Sequence, residues 1–386
     1  MKSEKGQVLI LLAFAVFAML GLIALAMDGG NAFADRRHAQ NTADTSALAV
    51  ALYKIQSPSS SSSELQSVVW QRAASNGYTI QENITLHTPP VDGPYAGNSQ
   101  YLQVKIVSPV DTWFAKIAGV SVITNRVEAV ARAKPMSPFY DGHSVVALSP
   151  GDGKSNTPEL KFYGSAVEVS VTGSGVFSNS SDNCAVNTSG SPDLSVPYIN
   201  SPGTICGVSG ITTGSGIQYP FPPDHSYLAD LCKRANAVKI NGDFPGNRTI
   251  ENDKIYCISG DFKINGGDYI ASNVTFVVDG GVSISGNGVL QLTSSPNLPL
   301  FYLPYASYKV NDNKYTVTIN GNSDMRLTGQ LLAPASHCKI NGTGATNPMR
   351  GQVICYTIEM GGNADAIVIY DDIDNMDEPP QVELTQ

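Results

Sequence analysis

The sequence has few charged residues and lacks the short motifs that mark enzymes and metal sites. Charged residues make up 15% of its 386 residues, against about one quarter in an ordinary soluble domain. It has no HExxH, GxSxG or CxxC spacing. The net charge is −9, with no basic stripe beyond Arg36 and Arg37, so a nucleic-acid partner has no electrostatic footprint. We therefore predict a non-enzymatic protein without a cofactor or metal and with no nucleic-acid partner.

A long apolar run near the N-terminus sets the predicted location. Residues 8–27 read VLILLAFAVFAMLGLIALAM, and about 20 such residues match the hydrocarbon core of a bilayer. Lys2 and Lys5 precede the run and Asp28 follows it, which favours a single-pass helix with a cytoplasmic N-terminus and an extracytoplasmic or cell-surface remainder. The predicted membrane-anchor residues are Val8, Leu12, Phe14, Phe17, Leu20, Leu22 and Met27.

A cleaved signal peptide is the competing interpretation of this run. Ala24-Leu25-Ala26 resembles a cleavage site. The apolar run nevertheless exceeds the roughly 7 to 15 residues of a signal core, and the sequence after it stays helical in character. Either interpretation places residue 60 onward outside the cytoplasm.

The helical pattern continues past the apolar run, to about residue 56. Residues 31–55 contain no glycine or proline and carry a strip of small side chains at every fourth position, namely Ala39, Ala43, Ala47 and Ala51. Small residues at this spacing let two helix backbones approach closely. Two alternatives follow: the strip packs on the chain's own next domain, or it packs on a helix of another subunit.

The same segment carries a motif with a defined order and spacing. Its members are Gly6, Val8, Asp28, Arg36, Arg37, Gln40, Ala43, Asp44, Ala47, Leu48 and Ala49. On these residues the segment resembles the N-terminal module of the TadE/TadG-like proteins of the Flp (Tad) pilus assembly system. The resemblance implies a membrane protein of pilus assembly whose partners are other pilus assembly or pilin-like subunits.

One position departs from the pattern of processed pilins. Type IV pilins carry a glutamate five residues after the glycine at which they are cleaved, whereas the fifth residue after Gly6 is Leu11. The departure favours an uncleaved, TadG-like protein over a major pilin.

Residues 57–135 predict a small α+β domain after a Ser/Pro linker. Residues 64–76 have helical apolar spacing, residues 101–107 alternate as a strand, and residues 120–133 form a second long strand. Trp113 and Phe114 lie before that strand and are interpreted as core anchors rather than as a ligand platform.

Residues 136–372 predict a mainly β domain, a right-handed parallel β-helix or solenoid. Short β-rich pieces ending in Asn/Gly turns begin at residues 238, 262, 282, 317, 338 and 358. A step of 20 to 25 residues is the size of one coil, and stacked coils bury a core that no single coil could bury. The one long step contains Pro296, Pro299 and Pro304, which predicts a protruding loop. A β-sandwich is the alternative architecture.

The cysteines follow the same step. All six lie after residue 183, which indicates disulfides formed in an oxidising compartment, with buried reduced thiols as the alternative. Equivalent positions on neighbouring coils are ~4.8 Å apart, within disulfide reach. We therefore expect neighbours in sequence to pair, as Cys184–Cys206, Cys232–Cys257 and Cys338–Cys355.

A membrane-tethered polysaccharide-binding or polysaccharide-cleaving β-helix is the alternative function. Cleavage needs paired carboxylates, and the candidates are Asp243, Asp261, Asp268 and Asp279. Exposed turn aspartates are the ordinary explanation of these residues. Residues 373–386 are interpreted as a solvated acidic tail. The favoured function remains pilus assembly or surface adhesion, with surface polysaccharide as a possible partner of the solenoid.

Overall fold

The structure is a computed structural model that describes residues 5–151, 153, 158–304, 316–321, 324–342 and 348–385. The side chains of residues 5–10, 13, 20 and 118 are outside that description. The chain divides into two compact units, unit 1 (Met1–Met136 with Pro379–Gln386) and unit 2 (Ser137–Glu378).

Two α-helices and many short strands make up the described residues. The helices are α1 (Lys5–Gln56) and α2 (Ser62–Ser75). The strands are β1 (Ile84–His87), β2 (Tyr101–Asp111), β3 (Val122–Lys134), β4 (Ser137–Pro138), β5 (Val145–Ala147), β6 (Leu160–Thr172), β7 (Val176–Ser178), β8 (Val186–Ser195), β9 (Tyr198–Ser201), β10 (Ile205–Cys206), β11 (Thr212–Ser215), β12 (Ala237–Ile240), β13 (Phe244–Pro245), β14 (Ile255–Ile258), β15 (Phe262–Asn265), β16 (Tyr269–Val278), β17 (Val282–Ser285), β18 (Leu290–Ser294), β19 (Phe301–Tyr302), β20 (Val317–Asn320), β21 (Met325–Thr328), β22 (Leu331–Asn341), β23 (Met349–Arg350), β24 (Val353–Gly362), β25 (Ala366–Ile369), β26 (Asp377–Glu378) and β27 (Gln381–Thr385).

Unit 1 is an antiparallel four-stranded sheet, in the order β1-β2-β3-β27, covered by α1 and α2. The alternation in β3 turns Val127, Ala129 and Ala131 inward, where they pack with the small residues of α1. A capping box starts α2: the Ser61 hydroxyl accepts from the Glu64 N–H, and the Glu64 carboxylate accepts from the Ser61 N–H at 2.7 Å. The α+β arrangement thus follows from residue periodicity.

The C-terminal residues do not form the solvated tail inferred from their charge. Strand β26 pairs with β4, and β27 pairs antiparallel with β3, so that Leu384 is the partner of Ala131. Val382 and Leu384 alternate with polar residues and pack against the core of unit 1. The apolar alternation outweighs the nearby charges because burying it completes the edge of the sheet.

Unit 2 is mostly β, with parallel pairing except where β26 meets β4, among the residues described. Most strands pair with a strand that lies one repeat step along the chain. One line of register partners, which we name row A, is Phe262, Val282, Val317, Cys338, Ile358, Leu160, Val186 and Ile205. Five of the six repeat starts read from the sequence therefore lie side by side.

The first repeat start is the exception. Val238 pairs with Tyr256 and so lies outside row A. The residue that pairs with Phe262 on its other side, and so extends row A, is Phe244. Val282 and Val317, at the two ends of the long step, pair on adjacent strands. The protruding loop predicted for this step falls partly on residues 305–315, which lie outside the described residues.

The strands do not stack in chain order. The last long strand, β24, pairs with β5 and β6 from the start of the unit. The row that contains β5, here row B, consequently starts at β12 and ends at β11, although β11 precedes β12 in the chain. Residues 216–236, the connecting strap, must span the whole row.

The connecting strap explains why the middle strands of row B are apolar on both faces. Tyr256, Phe276 and Phe301 point into the main core. The alternate positions of the row form a second core beneath the strap, which includes Val146, Phe177, Ile255, Val277, Tyr302, Leu332 and Ile354 together with Leu228 and Leu231 of the strap. A parallel strand covered on both sides reads as a continuous apolar run.

Three disulfides join Cys184 to Cys206, Cys232 to Cys257, and Cys338 to Cys355, the sequential pairing predicted. Their positions differ from the expectation, since no pair consists of register partners. Cys338 is opposite Ile358, and Cys355 is opposite Ala333, so this bond crosses the buried core between two rows. Cys232 belongs to the connecting strap and fastens it to β14.

Candidate functional site: the anchor helix and its base

The described side chains in the apolar part of α1 are exposed, apart from the half-buried Ala24. Exposed fractions are 69% for Phe14, 75% for Phe17 and 68% for Leu22, and Leu12 and Met27 are also exposed. By length and composition, α1 is apolar enough to cross a membrane. Exposing such a surface to water is unfavourable, whereas lipid matches it. The side chains of Val8 and Leu20 lie outside the part of α1 that the structure describes, and for Gly6 only the backbone is described.

Asp28, the first residue after the apolar run, is only 5% exposed. Its carboxylate accepts from the backbone N–H groups of Trp113, Phe114 and Ala115, at 2.9, 3.0 and 2.6 Å. These hydrogen bonds, the one from Ala115 foremost, hold the pKa of Asp28 below its ordinary value. Asp28 therefore fastens the end of the apolar run to the turn between β2 and β3.

Asp35 makes a second attachment that sequence reasoning missed. It accepts from the Tyr78 hydroxyl at 3.1 Å, the Ser108 hydroxyl at 3.0 Å and the Asn125 amide at 2.7 Å. Burial, and then Asp35, raises the pKa of Tyr78 to about 12. Because Asp35 is seven residues after Asp28, it lies on the same side of α1, two turns further along. This seven-residue spacing of two aspartates is the sequence signal that could have identified the attachment.

Gln40 and Asp44, both members of the sequence motif, form the third attachment. The Gln40 amide donates to the Asp44 carboxylate at 2.8 Å and to the carbonyl of Glu128 in β3 at 2.9 Å. The four-residue spacing brings the two side chains together on one helix face. The motif thus fixes α1 to the sheet of its own unit.

A cavity of about 380 Å³ opens beside this pair, lined by Gln40, Asp44, Asp92, Tyr95, Gln103 and Glu128 among others. Lys105 lies 2.6 Å from Asp92 and 3.6 Å from Glu128. The Lys105 hydrogen bond, with one from Gln103, lowers the pKa of Asp92. The polar groups at this cavity therefore already satisfy one another, and we assign it no ligand.

The small-residue strip lies against the chain's own sheet and α2. Ala39, Ala43, Ala47 and Ala51 have no exposed surface. Of the two interpretations of the strip, the structure places these residues in the core of unit 1. Among the other motif residues, Arg36 and Arg37 are exposed and Leu48 is half-buried.

Trp113 and Phe114 are not the core anchors expected from sequence. Trp113 is 79% exposed and Phe114 is 36% exposed. Their backbone N–H groups are turned towards Asp28, which leaves their side chains outside the core. The general tendency of large aromatics to be buried is overridden by this backbone contact with Asp28.

Three of the four candidate catalytic carboxylates of unit 2 accept hydrogen bonds from backbone N–H groups of neighbouring turns. Asp243 accepts from the Asp261 N–H, and Asp261 accepts from the Gly281 N–H, at 2.9 and 2.8 Å. Asp268 likewise accepts from the Val289 N–H at 2.8 Å. The hydrogen bond from Asp261, followed by Lys263, lowers the pKa of Asp243. The general acid of a glycosidase needs a raised pKa. The pKa shift of Asp243 is in the opposite direction, which is unfavourable for that role.

Comparison with known proteins finds one family-level match. The model of the putative Flp pilus-assembly TadE/G-like family matches residues 6–52, the N-terminal region of the chain. The matched region includes Asp28, Asp35, Gln40 and Asp44. No curated protein and no solved structure matches the chain.

Proposed function

We propose that this protein is a non-enzymatic, single-pass membrane component of Flp (Tad) pilus assembly or surface adhesion. The observation that carries the proposal is the exposed apolar run of α1, which continues without a break into a helix fastened to unit 1 at Asp28, Asp35 and Gln40. The family match to residues 6–52 supports the pilus context. A rigid link between lipid and unit 1 suits a protein that holds a larger module at a membrane.

The proposed orientation places the N-terminus in the cytoplasm and both units outside it. Lys2 and Lys5 precede the apolar run, and positive charges are retained on the cytoplasmic side. The three disulfides of unit 2 support the same orientation, since such bonds persist in oxidising compartments.

Unit 2 is, on this proposal, a β-solenoid that acts as the adhesive or scaffolding module. The side-by-side register of row A supports stacked coils. The turn positions of several coils carry hydrogen-bonded aspartates rather than an acid–base pair, which favours a structural use of this surface.

The proposed partners are pilin-like or other pilus assembly subunits. The alanine strip is occupied within unit 1. The exposed side chains of residues 11–27 remain available. We therefore assign contacts with partner helices to the membrane-embedded half of α1, where close packing between helices is the usual driving force.

The test is complementation of a deletion strain, scored by electron microscopy for surface fibres and by a surface-adhesion assay. The full chain should restore fibres, adhesion or both, whereas the double variant Phe17→Lys/Leu22→Lys should not, because two charges in the apolar run oppose insertion. Phe33→Lys is the matched control, since Phe33 is 64% exposed but lies beyond the run.

Three results would be informative. Loss of fibres in the deletion strain identifies an assembly role, and loss of adhesion with fibres intact identifies an adhesive role. If the deletion strain keeps both fibres and adhesion, the proposed function is wrong.

A further inference from the structure

The turn between β2 and β3 presents an apolar surface to its surroundings. Trp113 is 79% exposed and Ile117 is 87% exposed. Phe114, Val120 and Val122 of the same turn are exposed by 36%, 49% and 43%. Five large apolar side chains within ten residues are costly to leave in water. We name residues 113–122 the apolar turn.

Asp28 fixes the position of the apolar turn along α1. Its carboxylate holds the N–H groups of residues 113–115, and Asp28 directly follows the run that ends at Met27. Where residues 8–27 cross the hydrocarbon core, the turn consequently lies at the lipid–water boundary. The surface of the turn is therefore continuous with the lipid-facing surface of the helix.

The backbone of the turn is suited to that boundary because six of its N–H groups are paired within the protein. Besides the three that Asp28 accepts, Ile117 donates to Phe114, Gly119 to Lys116, and Val120 to Ala115. Backbone groups satisfied internally can enter an apolar region without a large desolvation cost. Tryptophan is enriched at membrane interfaces, and the exposed Lys116 can extend its ammonium towards lipid phosphates.

We propose that the apolar turn inserts into the interface of the outer leaflet as a second membrane contact of unit 1, with lipid as its occupant. This inference rests on the membrane anchoring in the proposed function. Two membrane contacts, the spanning helix and the apolar turn, together fix the depth and tilt of α1. A spanning helix alone would leave the tilt of unit 1 relative to the membrane unconstrained.

The experiment uses the two tryptophans of the chain, Trp70 and Trp113. The full-length Trp70→Phe variant is reconstituted into phosphatidylethanolamine–phosphatidylglycerol vesicles in which part of the lipid carries bromine near the top of its acyl chains. Flotation first establishes that the protein is in the vesicles. We expect blue-shifted Trp113 emission and a large loss of emission on bromination. Emission from Trp70 in the Trp113→Phe variant should not change, because its indole donates to the Ile84 carbonyl within the unit.

The matched control moves the reporter to the other end of the sheet. Val91 is 60% exposed, and its N–H is bonded to Gln103 of β2, ~26 Å along the strand from Asp111. A Val91→Trp substitution in the Trp70→Phe/Trp113→Phe background should give solvent-exposed emission that brominated lipid does not quench.

The outcomes distinguish failure of this inference from failure of the proposed function. Protein that floats with the vesicles but shows unquenched, water-exposed Trp113 emission overturns the inference and leaves the anchor intact. Blue-shifted emission without quenching also overturns it, because protein rather than lipid then covers the turn. Protein that does not float with the vesicles overturns both. Because Trp70→Phe removes one hydrogen bond, the difference between native and Trp113→Phe emission provides the same readout without that change.

Discussion

Individual carboxylates decide how the anchor helix meets unit 1. Asp28, Asp35 and Asp44 all lie on α1, and each is bonded to a different group: the apolar turn, the polar side chains of the sheet, and Gln40. Hydrogen bonds to a charged acceptor are stronger than neutral ones. The part of α1 that follows the apolar run is thereby fastened at successive turns: directly by Asp28 and Asp35, and through Gln40, which bonds to both Asp44 and the Glu128 carbonyl.

Replacing Asp28 with alanine should free the apolar turn. Three N–H groups lose their acceptor, so amide hydrogen exchange at residues 113–115 should quicken by about tenfold or more. Hydrogen exchange followed by mass spectrometry of the detergent-solubilised full chain measures the effect. Asp111→Asn is the control, since Asp111 is exposed in the same region; equal exchange in the two variants would refute the anchoring role.

His225 gives unit 2 a defined pH dependence. Burial beneath Phe139 and Tyr302 lowers the pKa of His225 to about 4, from an ordinary value of 6.5, although Asp224 opposes the shift. Between these pH values the imidazole of His225 is protonated in the unfolded chain and neutral in the folded one. The contribution of His225 to the free energy of unfolding should therefore fall as pH drops from 6.5 to 4, by about 3 kcal/mol.

Denaturant unfolding of the full chain at a series of pH values tests this dependence. His225→Phe should flatten the decline, because it removes the titrating group and keeps an aromatic ring in the cluster. His38→Phe, on the exposed face of α1, serves as the control and should leave the profile as it is in the native chain. An unchanged slope in His225→Phe would contradict the assignment.

Among the elements, α1 changes its surroundings along its length. Its first half is exposed and apolar, and its second half packs through alanines against the sheet and α2. The alanine strip lets the helix approach the sheet closely, and larger side chains at those positions would push it away. The apolar turn marks the point where one environment gives way to the other.

Enlarging the alanine strip should destabilise unit 1. Ala43 has no exposed surface, so Ala43→Leu overpacks the contact between α1 and the sheet and should cost about 1–3 kcal/mol of unfolding free energy. Ala34→Leu, on an exposed face of the same helix, should change it by about 0.5 kcal/mol or less. Thermal unfolding of the full-length variants compares them. Equal stability of the two variants would indicate that the alanine strip can accommodate a larger side chain, contrary to its complete burial.

At the scale of the whole molecule, the two units use the chain in different ways. Unit 1 combines the N-terminal segment with β27, so its sheet is complete only after residues 381–385 have been made. Unit 2 pairs its last long strand, β24, with β5 and β6 from its start, and carries the connecting strap along row B. Both arrangements bring distant parts of the sequence into contact.

Removal of residues 379–386 should weaken unit 1 and leave unit 2 folded. The truncation exposes the edge of β3 and uncovers apolar surface that Val382 and Leu384 bury. Hydrogen exchange should show loss of protection in β3 with unchanged protection in β16. The control Glu383→Gln breaks the ion pair with Arg132 and keeps the strand, so it should change stability by ~1 kcal/mol or less. Native protection of β3 in the truncated chain would refute the prediction.

The sequence alone determined the features that depend on local pattern. The apolar run had the length and hydropathy of a spanning helix, and the order of Asp28, Gln40 and Asp44 identified the family segment. The repeated Asn/Gly turns placed Phe262, Val282 and Val317 in one row. Each of these rests on spacing along the chain, where a period of 3.6 residues or a recurring turn motif is directly visible.

Tertiary structure decided what depends on distant partners. Charge in the C-terminal residues suggested a tail, but the free edge of β3 recruits Val382 and Leu384 into a strand. The exposure of Trp113 follows from the contact of its backbone with Asp28, 85 residues away in sequence. The stacking of β24 on β5, and with it the need for a strap over row B, follows from burying the ends of two chain segments against each other. Local sequence cannot encode these choices because each depends on a surface that exists only once the rest of the chain has folded.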